Sequence, residues 1–462
     1  MVWHHLFDHE VVLAAVGVAL AAALGRRAVV VWLFLCVVLM LRRRRWWPAV
    51  LVLGLCCSSF LLAGRAADRW APRHLGPYTG WAVLATDPSP SGRGVRLTFE
   101  VEGERFDAWR YGRAATAALE WAAGERVRLV GQRTALRSPD HRAAVRHVVG
   151  RFKVEYVGEA MAGNGVARVS NRVRRALRSA AARTLESAHA ALFTGLVIGD
   201  DAAQPRWMVD EFRAAGLSHL TAVSGQNVSF VVAAATPLLR RLRTWWRWAA
   251  TVGLIVWFMA LTRFEPSVLR AGTMAVLAAT SFALGGRVSP LRLVSWAVVA
   301  MVLADPFIVW SVGLWLSVGA TVGVSVVGPR LTTLLPGPSW FRTAAGVVLG
   351  AQAGVAAPSV LVFHRLPVVS LVANPLAVPV AGVVMLVGLP CGLVAAAAPA
   401  SLCRLLMVPS VVCTRWVALV ARVAAWAEPS PGWAWVCWVA VCMAVLAAVW
   451  RGTRARRSSV PI

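Results

Sequence analysis

Between Leu217 and Phe230 the sequence places Ser218, His219, Thr221, Ser224, Gly225, Gln226, Asn227 and Ser229 at the start of an apolar run. Two chemistries are open to these residue types. In the first, Ser224 attacks as a nucleophile and His219 takes its proton. Against that reading, Ala-Val-Ser-Gly-Gln is not a G-x-S-x-G elbow, and no carboxylate is placed to orient the imidazole. In the second, the polar groups border a passage. Each would cost several kcal/mol if left unpaired in lipid, so they must face protein or water. Gly225 in Ser-Gly-Gln-Asn points to backbone that leaves regular helix, which at membrane depth is tolerated only where it is buried in protein or lines a cavity.

Further polar groups punctuate the apolar second half. Arg263, Glu265 and Arg270 surround Pro266 at the end of one apolar span and the start of the next. Ionisable groups there are costly unless paired or hydrated, which makes Glu265 and Arg270 candidates for a transport path; the alternative is an interfacial loop with a Glu–Arg contact. Gln352 lies between Gly350 and Gly354, and Gly319 and Gly323 repeat the same GxxxG spacing. Small residues so spaced let helices approach closely. Pro358, Asn374-Pro375 and Pro379 follow, and these prolines are expected to break helices and free carbonyls inside a bundle. At the amino end, His4, His5, Asp8, His9 and Glu10 could pair on one helical face, but no third separated ligand follows, so neither a metal nor a cofactor is expected.

Composition fixes what carries these groups. With 58% hydrophobic and 15% charged residues and a mean hydropathy of +0.64, the chain reads as an integral membrane protein. Its net charge of +27 comes almost wholly from arginine, Lys153 being the one lysine. Such an excess fits inside-positive loops, anionic lipid or nucleic acid. The cysteines, Cys36, Cys56, Cys57, Cys391, Cys403, Cys413, Cys437 and Cys442, all lie in apolar stretches and give neither a disulfide framework nor a zinc spacing.

Apolar segments 11–24 and 28–41, separated by Gly25-Arg26-Arg27, read as a thin hairpin that anchors the chain and is not a cleaved signal. Arg42–Arg45 with Trp46-Trp47 forms a cytoplasmic anchor before a span over 47–63. Residues 65–158 then change character. Strand-like runs at Thr79–Ala85, Val95–Val101, Arg126–Gly131 and Phe152–Val157 alternate between turn signals such as Asp87-Pro88-Ser89-Pro90 and predict a small antiparallel barrel outside the membrane. Arg93, Arg96, Arg105, Trp109, Arg110, Tyr111 and Arg113 mix basic and aromatic side chains as single-stranded DNA binding requires, although solvated arginines around a core aromatic would look the same. Residues 166–190 predict an amphipathic surface helix with Arg168, Arg172 and Arg175 in one row, Arg174 and Arg178 beside them, and Val173, Leu177 and Ala181 opposite. Lipid contact and a second basic surface for DNA phosphates are the two uses of that basic face. Apolar spans follow at 216–238, 249–263, 267–285, 291–304, 310–328, 343–362, 368–398, 402–426 and 433–450, with 368–398 long enough for two passes. Basic loops at Arg240–Arg247, Arg287–Arg292 and Arg330–Arg342 then fall on one side, with the Arg451–Arg457 cluster also cytoplasmic.

The string GLSHLTAVSGQNV resembles the signature of the ComEC/Rec2 competence family, polytopic proteins that carry single-stranded DNA across the cytoplasmic membrane during transformation. The usual ending Ser-Gly-Leu-His-Val is replaced here by Gln226 and Asn227. Arg270, the Asp305–Gly323 segment with its Trp315-Leu316-Ser317 core, and the Asn374-Pro375 region are similar to later family segments in the same order. The resemblance implies a polytopic α-helical membrane protein with an inserted small extracellular β-barrel, OB-like, and places the domains as follows. Anchor helices occupy residues 1–64, the OB-like domain 65–158, an amphipathic helix and connector 159–215, a channel domain 216–450, and a basic tail 451–462. The resemblance is to the form of the family expected to lack the metallo-β-lactamase-like domain of many members. The implied function is passage of single-stranded DNA, without catalysis, along Ser218, His219, Ser224, Gly225, Gln226, Asn227, Glu265, Arg270, Gln352 and Asn374, with Arg93, Arg96, Trp109, Arg110 and Arg113 as DNA contacts. Because no GxxxxGK[ST] loop occurs, a cytoplasmic motor is an expected partner beside the lipid bilayer, and the nuclease-like module of the family is expected to be either a separate protein or unused. A transporter or scaffold of the same fold with a non-DNA substrate, and a serine hydrolase in the membrane, are the alternatives.

Overall fold

The computed structural model describes residues 8–24, 47–136, 140–221, 225–286 and 288–458. The readings placed on His4, His5, Arg26, Arg27, the 28–41 segment, Arg42–Arg45 and Ser224 lie outside the described residues. Two compact units emerge: residues 1–175 with 256–266 and 295–311, and residues 176–255 with 267–294 and 312–462.

In the first unit, the helices Asp8–Leu24 and Trp47–Arg69 pack together, and Ser59 donates its hydroxyl to the Val18 carbonyl at 2.8 Å. That bond satisfies a buried polar group in an otherwise apolar contact. Six strands follow: β1 (Gly76–Leu84), β2 (Ser89–Ser91), β3 (Gly94–Val101), β4 (Glu104–Tyr111), β5 (Arg126–Ala135) and β6 (Val148–Val157). β5 pairs with β1 and β6, β6 runs parallel to β4, β4 pairs with β3, and β3 closes on β1 through Val83↔Glu100 and Leu84↔Phe99. The result is a closed five-strand barrel, the OB-like domain expected, with β2 as a short flap on β3.

Alternation along the strands drives the closure. Val95, Leu97, Phe99 and Val101 of β3 and Phe106 and Ala108 of β4 point inward to meet Val127, Leu129 and Phe152. β4 is the strand that periodicity missed. Its outward residues Arg105 and Trp109 read as ligand contacts, whereas the inward Phe106 and Ala108 make it a wall of the barrel.

Among the described residues, six helices are long and apolar enough to cross a membrane: Val50–Arg69, Val312–Leu334, Ser339–Phe363, Ser370–Ala397, Ala400–Ala427 and Pro431–Trp450. The chain is a multi-pass membrane protein with a barrel in its N-terminal region. Two expectations are corrected. Residues 370–397 form one continuous helix and not two passes. Pro375, Pro379 and Pro390 lie within it and do not break it, and Trp416 of the neighbouring helix donates to its Leu376 carbonyl at 3.0 Å.

In the second unit this long helix is the centre of packing. It forms a hairpin with Ala400–Ala427 and carries small residues wherever a neighbour crosses. A Cβ at Gly382 would stand 2.8 Å from the Phe230 ring, and one at Gly388 would stand 2.8 Å from Val197. Its last carbonyls, at Ala395, Ala396 and Ala398, accept from the Arg183 guanidinium at 2.6, 3.1 and 3.2 Å. A cation at a helix C-terminus both fills these orphan acceptors and opposes the dipole.

Candidate functional site

The signature segment hangs from the helix Ser187–Ile198, which stops at Gly199 in the left-handed region with φ +67°. This stop turns the chain so that Asp200 is buried and its carboxylate pairs with Arg178. The chain returns through the helix Arg206–Ala214 and turns at Gly216, whose φ is +70°. A Cβ there would stand 2.7 Å from Ser370 Cβ, so both the conformation and the space call for glycine. Ser370 in turn donates to the Pro367 carbonyl at 2.6 Å and accepts from Gln352 Nε2 at 2.5 Å. Asn374 follows Ser370 by one turn, and its Oδ1 is buried without a hydrogen bond to any of the described residues. The signature's entrance, Gln352 and Asn374 are thus brought to one neighbourhood.

Beyond Gly216 the polar residues divide. Ser218, His219, Gln226 and Ser229 are exposed, Thr221 donates to the Ser218 carbonyl at 3.0 Å, and Asn227, 1% exposed, donates to the Leu196 carbonyl at 2.8 Å. The helix Gly225–Leu239 starts at Gly225 itself. Asn227 therefore ties this helix to the end of Ser187–Ile198, while Gln226 and Ser229 face away from that contact.

Several groups here carried no signal in the sequence reading. Gln204 lies against Gly195, where a Cβ would come within 2.3 Å of its Nε2, and neither end of its buried amide has a partner among the described residues. Asp200 is the second such group, and the signal available for it is Gly199-Asp200-Asp201, two adjacent carboxylates in a chain with only 21.

Of the two charged candidates around Pro266, Glu265 is exposed, whereas Arg270 is only 5% exposed. Its Nη1 donates to Thr321 Oγ1 at 3.2 Å and to the Met274 sulfur at 3.6 Å, and its Nε has no partner among the described residues.

On the barrel, Arg96 of β3 stands directly opposite Trp109 of β4, and the Arg151 guanidinium lies 5.4 Å from the Trp109 ring centroid. Burial, and then the neighbouring Arg146, lowers Arg96 from the ordinary arginine value, with Asp107 opposing, as expected in a locally positive field. Arg93 is exposed between β2 and β3, Arg113 is exposed at the start of the helix Arg113–Ala118, and Arg110 is half-buried opposite Val95. Arg96, Trp109 and Arg151 therefore share one outer face; Arg105 is drawn to Glu100 at 3.5 Å.

The basic row of the helix Gly165–Ala182 is corrected at Arg174. Arg168, Arg172 and Arg175 are exposed as expected, but Arg174 is buried and pairs with Asp87 at 2.9 Å. Asp87 also receives Arg263 at 3.1 Å and the Ala123 amide at 2.8 Å, and Arg263 reaches Asn171 at 2.5 Å. Burial pushes the Asp87 carboxyl up, but Arg174 and Arg263 outweigh it and hold the group below the usual carboxylate range. Asp87, read as a turn residue, is the hub of a buried ion cluster. Arg263 and Phe264 both have positive φ, +62° and +54°, so this cluster fastens a strained corner of the chain.

A family model described as Competence protein matches residues 196–454, which takes in the signature, Arg270, Gln352 and Asn374. The chain is 28% identical over 240 residues to the competence protein ComA of Neisseria gonorrhoeae, covering 47% of this chain and 32% of that protein. It is 26% identical over 211 residues to the uncharacterized protein YcaI of Escherichia coli (strain K12), covering 41% of this chain and 27% of that protein. The chain thus spans about a third or less of the length of the curated relatives it matches. No solved structure matches it. With more than half of its residues matched by that family model, the chain belongs to the ComEC/Rec2-type competence protein family.

Proposed function

We propose that this protein is the membrane path by which single-stranded DNA crosses the cytoplasmic membrane during competence, acting as a transport component and not as an enzyme. The observation that carries the reading is the competence family match across residues 196–454. Residues 1–64 anchor the chain, the OB-like domain at 65–158 receives the strand outside the cell, and 159–215 connects it to the channel domain at 216–450, followed by the basic tail at 451–462. The DNA contacts are Arg93, Arg96, Trp109, Arg110 and Arg113. The path runs by Ser218, His219, Ser224, Gly225, Gln226, Asn227, Glu265, Arg270, Gln352 and Asn374. A cytoplasmic motor and a separate nuclease complete the machinery.

The charge pattern supports this sidedness. In the first unit, His147 of the barrel meets Asp305 at 3.0 Å and Asp87 meets Arg263, so the barrel sits at the ends of helices marked by Leu261 and Ala304. The opposite ends of those helices carry Arg240, Arg241, Arg243 and Arg247, and Arg292. Arginine-rich loops tend to stay in the cytoplasm, which supports the reading of the barrel as external. On its outer face, Trp109 offers a stacking surface and Arg96 and Arg151 offer phosphate contacts, the combination that holds single strands without reading their sequence.

The test is binding of labelled oligothymidylate to the full chain in lipid nanodiscs across a salt series. Binding that weakens steeply with salt supports the proposal, and no binding even at low salt removes DNA as the substrate.

A further inference from the structure

We propose that Arg270 is a phosphodiester-binding point within the membrane half, taking the backbone phosphates of single-stranded DNA in turn through its guanidinium fork; this rests on the transport reading above. Its helix, Pro266–Ala283, holds the residue at 5% exposure, and among the described residues no carboxylate stands within ion-pair distance of its guanidinium. Thr321 and the Met274 sulfur occupy Nη1 only. Thr321 gives its own proton to the Ser317 carbonyl at 2.9 Å, so it serves Arg270 purely as an acceptor. The Nε edge of the fork is left without a partner.

A dry, uncompensated guanidinium is among the most expensive groups a helical bundle can hold. Packing alone does not require it, since methionine would fill similar volume without the charge. The free edge matches one ligand chemistry well: a tetrahedral anion with two oxygens spaced to accept parallel N–H bonds.

The surroundings keep that edge in place. Thr321 lies between Gly319 and Gly323, which share one helix face while Thr321 projects from the opposite side. A Cβ at Gly319 would stand 2.3 Å from the Gly354 carbonyl oxygen, and one at Gly323 would stand 2.0 Å from that of Gly350. The helix bearing Thr321 is therefore seated against Ser339–Phe363 with no slack. Directly after it the chain forms a π-helical turn at Gly323–Val327, a distortion that recurs at functional positions. A fixed hydroxyl on one side and a buried Nε with no partner among the described residues on the other preorganise the arginine for an anion.

The experiment uses the full chain in nanodiscs with two probes, oligothymidylate and the same oligomer with uncharged methylphosphonate linkages. Arg270→Met is expected to leave the thermal midpoint without DNA unchanged or raised, because a buried charge is removed. Its binding of oligothymidylate should weaken about tenfold, with a log-affinity against log-salt slope shallower by about 1. The methylphosphonate oligomer should bind wild type and variant alike. Arg270→Lys, which keeps the charge but loses the fork, should also weaken binding, and it carries the test if the methionine variant does not assemble. Unchanged affinity and slope in both variants would overturn the assignment while leaving the transport reading intact. Absence of oligothymidylate binding by the wild type would instead overturn both.

Discussion

The Asp87 cluster makes the sharpest energetic prediction. Asp87→Asn keeps the shape and the acceptor for the Ala123 amide but removes the charge facing Arg174 and Arg263, whose side chains are 5% and 15% exposed. Removing one partner of a buried ion pair leaves an uncompensated charge, which costs about 3–5 kcal/mol. The sign with pH follows from the lowered carboxyl. Because the folded pKa lies below the unfolded value of about 3.9, the contribution is fully present above about pH 4 and is lost as pH falls through the folded value. Pulse proteolysis of the full chain across a urea series at pH 7 should show the barrel opening at lower urea in Asp87→Asn, with a flatter acid limb below pH 4. Adding Arg174→Met and Arg263→Met should restore at least half of the loss, since an apolar replacement leaves no charge stranded. A cost below about 1 kcal/mol, typical of exposed pairs, would refute the description of this cluster as buried and mutually dependent.

Gly354→Ala places a Cβ 1.9 Å from the Gly319 carbonyl oxygen and should destabilise the helix pair by about 1–3 kcal/mol, read as a lower thermal midpoint in detergent. Asn227→Leu strands the buried Leu196 carbonyl and should cost about 1–3 kcal/mol by the same measurement; a neutral result would mean that the carbonyl has another donor. Trp109→Ala should weaken oligothymidylate binding by about 1–3 kcal/mol, and Arg96→Ala should make the salt slope shallower by about 1.

What the sequence discloses here follows the range of the interaction. Local signals sufficed for the apolar spans 47–63, 310–328, 343–362, 402–426 and 433–450 and for Val95–Val101, whose Val95, Leu97, Phe99 and Val101 fill the core. Contacts between distant residues were not legible. Arg174 looks like one more member of a basic stripe until Asp87, far earlier in the chain, is folded against it. Glu104–Tyr111 alternates like any strand, but its outward arginines and tryptophan drew a ligand reading, and only pairing with β3 and β6 makes it a wall. Hydropathy could not separate one long helix from two passes over 370–397, because prolines that would end a helix in water are tolerated inside a bundle. Within the signature, side-chain type marked the polar residues but not their direction: Asn227 turns inward to a carbonyl, and Gln226 beside it is exposed.

The role in DNA passage is tested most directly in cells. Labelled transforming DNA should cease to reach a nuclease-protected cytoplasmic pool when this gene is deleted, should return with the wild-type gene, and should fall at least tenfold below that level with Arg270→Met. Undiminished entry of the labelled strand into the deletion strain would contradict the account.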